Sequence, residues 1–284
     1  MSESITYNMD CLEYLRTVPD KYFDLACVDP PYGGGGDDNE YKGAVVGRFC
    51  GRFEKYHLGE SSPPIKCQRS GGTWEKKSRR QVGAISSDDL APDVRNTRGR
   101  FSKYADGGDI RHWDFAPPQE YFDELFRVSK HAIVWGGNYF DLPPTRCFLV
   151  WRKLTISENF TMAMAEYAWT NFNENAKVFE CAPQGKKGDQ RFHPTQKPIA
   201  LYEWVFRLFA NPGDKILDTH LGSGSSRIAA YNSGLDFVGC EIDPVYFKME
   251  EERFEKFVSQ HSIFDADYGM ADQSSMWETE YPCE

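Results

Sequence analysis

The sequence predicts an α/β fold, a mainly parallel sheet covered by helices on both faces, and three observations carry that expectation. Short apolar runs alternate with segments of helical spacing along much of the chain. One run opens into Asp29-Pro30-Pro31-Tyr32, and another into a Gly222-Ser223-Gly224 turn ahead of a helix. The 284 residues, 40 % hydrophobic and 15 % aromatic, suffice to bury one full core, so one elaborated domain with an insertion is expected.

Phe23 to Val28 is a buried strand, because its six residues are almost all apolar and a loop follows at once. From Tyr41 to Asp109 the chain shows little periodicity and is rich in Gly, Ser, Arg and Lys, too long for an ordinary connection. Helical spacing resumes with Phe122, Leu125 and Phe126 after Pro117-Pro118, followed by strands at Ala132 to Trp135 and Cys147 to Trp151. Pro198 starts a helix with Leu201, Val205, Leu208 and Phe209 on one face, ended by Asn211-Pro212-Gly213. A strand at Lys215 to Leu217, a helix stopped by Gly234, a strand at Asp236 to Cys240 and a helix from Pro244 to about Phe257 complete the pattern. Strands alternating with helices give a parallel sheet buried on both sides.

No run approaches the roughly 20 apolar residues of a membrane helix, and MSESITYNMD lacks the regions of a secretory signal, so a cytoplasmic protein with no membrane partner is expected. Eight cysteines without a CxxC pair read as reduced thiols, and Cys50, His57 and Cys67 lack a fourth ligand at finger spacing, so no metal is expected. The net charge of −10 excludes a protein that coats nucleic acid indiscriminately. Yet Glu40 to Ala105 holds 14 Lys or Arg against seven Asp or Glu, a surplus of +7, which leaves −17 on the remainder. That segment is the natural phosphate-facing surface. The last 28 residues carry six acids and no Lys or Arg, a solvated tail whose Phe264, Tyr268, Trp277 and Tyr281 allow docking.

Two constellations carry chemistry. Asp218 to Ser225 follows a strand, and Glu241 ends the next one. Glycines let a ligand approach the backbone, a helix N-terminus offers N–H groups, and an acid about 20 residues on accepts ribose hydroxyls. The GxG spacing without a third glycine serves a nucleoside better than a pyrophosphate. Asp29-Pro30-Pro31-Tyr32 suits a poorly nucleophilic exocyclic amine. The Asp29 carboxylate and the Pro30 carbonyl are acceptors for its two hydrogens, Pro31 brings no competing N–H, and Tyr32 offers a ring for a base. As bare features, the first is also a Gly-rich turn and the second a strand-ending turn.

Asp29-Pro30-Pro31-Tyr32, then His193-Pro194-Thr195-Gln196-Lys197-Pro198, then Asp218 to Ser225 resembles the amino-methyltransferase family of DNA methyltransferases, in the order of its beta class. The likeness covers roughly residues 5 to 32 and 110 to 257. It implies a circularly arranged, Rossmann-like methyltransferase fold and S-adenosylmethionine as cofactor. It also implies transfer of a methyl group to the N6 amine of adenine in DNA, the base being flipped out. By the resemblance Asp218, Gly222 and Gly224 line the methionine and ribose, Glu241 holds the ribose hydroxyls, and Lys197 with Thr195 and Gln196 reaches the cofactor carboxylate. Asp10, beside Cys11, matches the position that contacts the adenine amine of the cofactor, and as a bare feature is equally an N-cap. Ala132 to Tyr139, Trp151-Arg152-Lys153 and Glu166 resemble segments around the target-base pocket.

The short stretch from Asn171 to Phe192 departs from the family, in which a sizeable target-recognition region commonly precedes the HPTQKP motif. Recognition is therefore expected in the basic segment, where Arg69, Lys76, Lys77, Arg79, Arg80, Arg95, Arg98 and Arg100 suit phosphates or guanine edges. A catalytic domain of residues 1–40 and 106–258, a basic insertion of 41–105 and an acidic tail of 259–284 follow. N4 methylation of cytosine is the nearest alternative, though Asp at the head of the tetrapeptide leans toward adenine in the family. A catalytically silent nucleic-acid-binding protein of the same fold and an RNA or protein amine as substrate are further ones. The charge pattern is compatible with a homodimer that shares DNA contacts, and the resemblance admits a restriction endonuclease as partner.

Overall fold

The computed structural model describes residues 2–32, 115–157, 163–184 and 191–268, with side chains to residue 260. The basic insertion, the eight DNA-facing residues predicted in it, Cys50, His57, Cys67 and the end of the acidic tail lie outside the described residues.

Eight strands form one sheet: β1 Ser4–Asn8, β2 Phe23–Val28, β3 Ser129–Trp135, β4 Phe148–Lys153, β5 Ala165–Thr170, β6 Lys177–Cys181, β7 Lys215–Asp218 and β8 Asp236–Glu241. Their spatial order is β1-β8-β7-β2-β3-β5-β4-β6. The run from β1 to β3 is parallel throughout, β5 is antiparallel to both β3 and β4, and β4 and β6 are parallel to each other. The helices are α1 Cys11–Thr17, α2 Gln119–Val128, α3 Ile199–Phe209, α4 Ser225–Asn232 and α5 Pro244–Tyr268.

Both faces of the sheet are buried, as the apolar runs require. Leu25 and Cys27 of β2 and Ile133 and Trp135 of β3 pack with Leu201, Val205, Phe206 and Phe209 of α3 and Ala229 of α4. Their neighbours Ala26, Val28, Ala132 and Val134 point the other way, onto Leu15 of α1 and Tyr121, Phe122, Leu125 and Val128 of α2. The period of two along each strand thus feeds two cores.

The final helix is longer than the sequence spacing suggested, running to Tyr268 rather than to about Phe257. It is tied to α4 by a buried network: Arg227 Nη1 donates to both oxygens of Glu250 at 3.0 Å and to Glu251 Oε1 at 2.7 Å. Removing one partner would strand the other charge, which costs about 3–5 kcal/mol in buried pairs. Among the described residues no helix is long and apolar enough to cross a membrane, and no group of His, Cys, Asp and Glu is placed to hold a metal ion.

Candidate active site

The parallel run brings the C-terminal ends of β1, β8, β7, β2 and β3 to one edge. The path from β7 through α4 leads to β8 on one side, while that from β2 leads to β3 on the other. The crevice therefore opens between β7 and β2, the switch point at which open α/β sheets bind ligands. Asp218 ends β7, Asp29 follows β2, and Glu241 ends β8.

On the β7–β8 side Asp218 to Ser225 folds into a tight turn backed by two buried acids. Asp218 Oδ1 accepts from the backbone N–H of His220 at 3.1 Å, and Oδ2 from the Ser226 hydroxyl at 2.5 Å. Burial nevertheless pushes Asp218 up to about 6, against those two donors. Glu241 accepts from the N–H of Gly222 at 2.7 Å and of Asp243 at 2.9 Å, and burial pushes it up to about 7. Gly224 has φ +72°, and a Cβ there would stand 2.5 Å from Glu250 Cγ, so a side chain would break the approach of α5 to the turn. Gly222 lies against the ring of His193, which burial holds neutral, down to about 3.

Asp10 caps α1, its Oδ1 accepting from Leu12 N–H at 2.8 Å and Glu13 N–H at 3.0 Å. The cap sits beside Glu241, because Asn8 pairs with Glu241 in the β1–β8 register and Met9 N–H donates to the Glu241 carbonyl. Cys11 Sγ lies 3.9 Å from His220 Nε2, and burial pushes the thiol up to about 12, which leaves it protonated. Both readings of Asp10, cap and cofactor neighbour, are thus compatible with its place.

On the β2–β3 side Tyr32 donates to Asp29 Oδ1 at 3.0 Å, and Lys197 pairs with Asp29 Oδ2. The Tyr32 ring is already covered: Tyr139 stacks on it at 4.5 Å and Phe140 meets it edge-on at 6.1 Å. Gly136, at φ +66°, lies so close that a Cβ would fall 2.0 Å from Tyr32 Cε1. Only a glycine fits the turn after β3.

The HPTQKP segment divides. Lys197 is 5 % exposed and Gln196 8 %, whereas Thr195 is at the surface and bonds to His193 Nδ1 at 3.1 Å. Gln196 Oε1 accepts from Phe192 N–H at 3.2 Å, which folds the loop back on itself. The Lys197 ammonium, expected at the cofactor carboxylate, lies against Asp29 and 3.2 Å from Glu166 Oε2. Glu166 in turn accepts from Lys153 Nζ at 2.5 Å through Oε1. Burial raises Asp29 more than Lys197 lowers it; at Glu166 burial also pushes up, but Lys197 and Lys153 outweigh it and hold it down at about 2. Glu166 and Lys153 resemble the family only in lying near the target-base pocket, and nothing in the sequence marks Tyr139 against Tyr32 or His193 under Gly222.

The buried acids that end β7 and β8 and the Asp29–Tyr32 loop after β2 thus stand side by side at one edge of a parallel sheet, the arrangement of an α/β enzyme with its ligands at the switch point. Comparison with known proteins makes the class particular. A family model described as DNA methylase, of the N6 and N4 amino-methyltransferase type, matches residues 134–252. Type II methyltransferase M1.MboII of Moraxella bovis is 41% identical over 266 residues, spanning 84% of this chain and 92% of that protein. DNA adenine methyltransferase YhdJ of Escherichia coli (strain K12) is 43% identical over 63 residues, 22% of this chain and 21% of that one. Among solved structures, PvuII DNA methyltransferase (cytosine-N4-specific) shares the fold with a TM-score of 0.51 at 12% identity, over 89% of this chain and 87% of its own. The chain belongs to the N6-adenine and N4-cytosine family of DNA methyltransferases, which take their methyl group from S-adenosylmethionine.

Proposed function

We propose that the protein methylates the N6 amine of adenine in DNA, with Asp29 and the Pro30 carbonyl as acceptors for the two amine hydrogens. The observation that carries the reading is the place of Asp29: at the switch point beside Asp218, with its carboxylate fixed by Tyr32 and Lys197. An amine whose lone pair is delocalised into a ring becomes nucleophilic when such acceptors hydrogen-bond its two hydrogens and turn the nitrogen toward tetrahedral geometry. The N–CH3 bond then forms as the S–CH3 bond breaks, the cofactor leaves as its neutral thioether, and the nitrogen gives up one proton toward Asp29 and solvent. The sulfonium of the cofactor is electrophile enough to need no covalent intermediate, so alignment does the remaining work. Asp at the head of the tetrapeptide and the name of the YhdJ relative favour adenine over cytosine.

In this reading Glu241 accepts the ribose hydroxyls, Asp218, Gly222 and Gly224 line the rest of the nucleoside, and Asp10 with Cys11 borders its base. Thr195, Gln196 and Lys197 close the methionine end. Pro31 keeps the tetrapeptide extended, and a base that stacks on Tyr32 displaces Tyr139. The basic segment 41–105 supplies the contacts to the DNA backbone and the domain of residues 1–40 and 106–258 the chemistry.

The test is Asp29→Ala, read as methyl transfer from labelled S-adenosylmethionine and as cofactor affinity. Transfer should fall at least ~100-fold, as it does when a group made for the transition state is removed, while cofactor affinity stays close to wild type. Normal turnover in that variant would refute the assignment.

A further inference from the structure

Lys197 has two carboxylates within reach, and Glu166 has two ammonium groups. Lys197 Nζ touches Asp29 Oδ2 and lies 3.2 Å from Glu166 Oε2, while Lys153 Nζ lies 2.5 Å from Glu166 Oε1. Both lysine side chains are nearly inaccessible, at 4 % and 6 % exposure, and Asp29 is 13 % exposed. Two acids and two bases thus alternate in a row, Asp29, Lys197, Glu166, Lys153, with no net charge. The order reflects the sheet: Glu166 and Trp151 are register partners on β5 and β4, Lys153 ends β4, and β5 neighbours β3.

An acceptor for an amine hydrogen needs a lone pair that is not already committed. An ammonium held by Asp29 alone would compete with the substrate for that carboxylate. A second carboxylate on the far side of the ammonium divides its attraction and keeps it at a fixed place. We infer that Glu166 is a positioning residue for methyl transfer: anchored by Lys153, it shares the Lys197 ammonium that pairs with Asp29 Oδ2 and fixes its place, so that Asp29 keeps a lone pair for the target amine. The inference rests on the reading of Asp29 as that acceptor.

The titratable groups that face Asp29 and Glu166 come from several elements around them. They are Tyr32 on the same loop, Lys153 on β4, Lys197 ahead of α3, Tyr202 on α3, Cys27 on β2 and Asp218 on β7. Of these, Glu166 raises the carboxyl of Asp29 and Lys197 lowers it. Turnover needs Asp29 ionised, so its protonation marks the acid limb of the pH–rate profile. Glu166→Gln removes the raising charge and gives Lys197 wholly to Asp29, which moves the limb to lower pH. It also lowers plateau kcat by roughly 10- to 100-fold, the range that misplacement of an aligned group costs. Lys197→Met removes the lowering charge, and Lys153→Met lets Glu166 draw Lys197 away, so both move the limb to higher pH.

The experiment is the pH dependence of kcat for the wild type and these variants, on unmethylated genomic DNA with labelled S-adenosylmethionine, with Asp29→Ala alongside. Opposite displacements for Glu166→Gln and Lys197→Met support the inference. A Glu166→Gln profile that coincides with wild type, even with a lowered melting temperature, overturns it, since a merely structural contact would not move the limb. If Glu166→Gln does not fold, the direction in Lys153→Met decides, and a limb that is unmoved or moved to lower pH overturns the inference. If Asp29→Ala turns over normally, the underlying reading fails; if it is inactive while Glu166→Gln behaves as wild type, only the part given to Glu166 fails.

Discussion

At Glu241 the fold and the proposed cofactor favour opposite charge states. Burial pushes its carboxyl from 4.5 up to about 7, although the N–H groups of Gly222 and Asp243 pull the other way. A raised pKa in the folded chain means that the folded state holds a proton the unfolded state has released. The resulting stability is complete below about 4.5 and is lost as pH rises through 7. Two ribose hydroxyls, by contrast, bind best to the ionised acceptor. Glu241→Gln should therefore gain stability relative to wild type as pH rises through that window, by about 3 kcal/mol. Denaturant melts across pH check it. In titration calorimetry the wild type should bind S-adenosylmethionine more tightly as pH rises through 7, and the variant should not. Parallel pH curves for the two proteins in both measurements would contradict the account. Residues of this kind were legible in the sequence because their chemistry is compressed into short motifs: Asp29 to Tyr32, Asp218 to Gly224, Glu241 after the next strand. Glu166 was not, since nothing local marks a lone acid in Ala165–Thr170; only the pairing of β5 with β4 brings it to Lys153 and Lys197.

Elements were legible where burial was complete. β2, β3, β7 and β8 are apolar runs because both of their faces are covered, and α3 announced itself through Pro198 and its apolar face. β1 at Ser4–Asn8 and β6 at Lys177–Cys181 gave no such signal: each ends the sheet, is only partly buried, and reads as mixed sequence. β5 was missed because its antiparallel place lies outside the alternation of strand and helix. The last helix outran its expected end because its apolar spacing fades after Phe257 while no glycine or proline interrupts the chain before Gly269. For the basic segment the prediction concerns binding. Replacing Arg69, Lys76, Lys77, Arg79, Arg80, Arg95, Arg98 and Arg100 by glutamine should weaken DNA affinity and flatten its dependence on salt, by about 0.9 in the log–log slope for each phosphate that the protein no longer neutralises. An unchanged slope across a salt series would place DNA binding elsewhere on the molecule.

At the scale of the whole molecule, one sheet makes two half-sites into one. The residues proposed to hold the cofactor stand on β7 and β8 and the proposed acceptor tetrapeptide follows β2, far apart in sequence, yet parallel pairing sets Leu25 and Ala26 of β2 beside Ile216 and Leu217 of β7. Asp29 and Asp218 thereby flank the same crevice, and an in-line transfer between a bound sulfonium and a flipped base needs that adjacency. The charge is divided unevenly, +7 on residues 40–105 and −17 on the remainder, so under the proposed function the acidic body repels DNA in general and the basic segment captures it. The most direct test is to incubate the purified protein with S-adenosylmethionine and unmethylated genomic DNA and to analyse the nucleosides by mass spectrometry. N6-methyladenine is expected, absent with Asp29→Ala; N4-methylcytosine alone, or no methylated base, would contradict adenine N6 methylation.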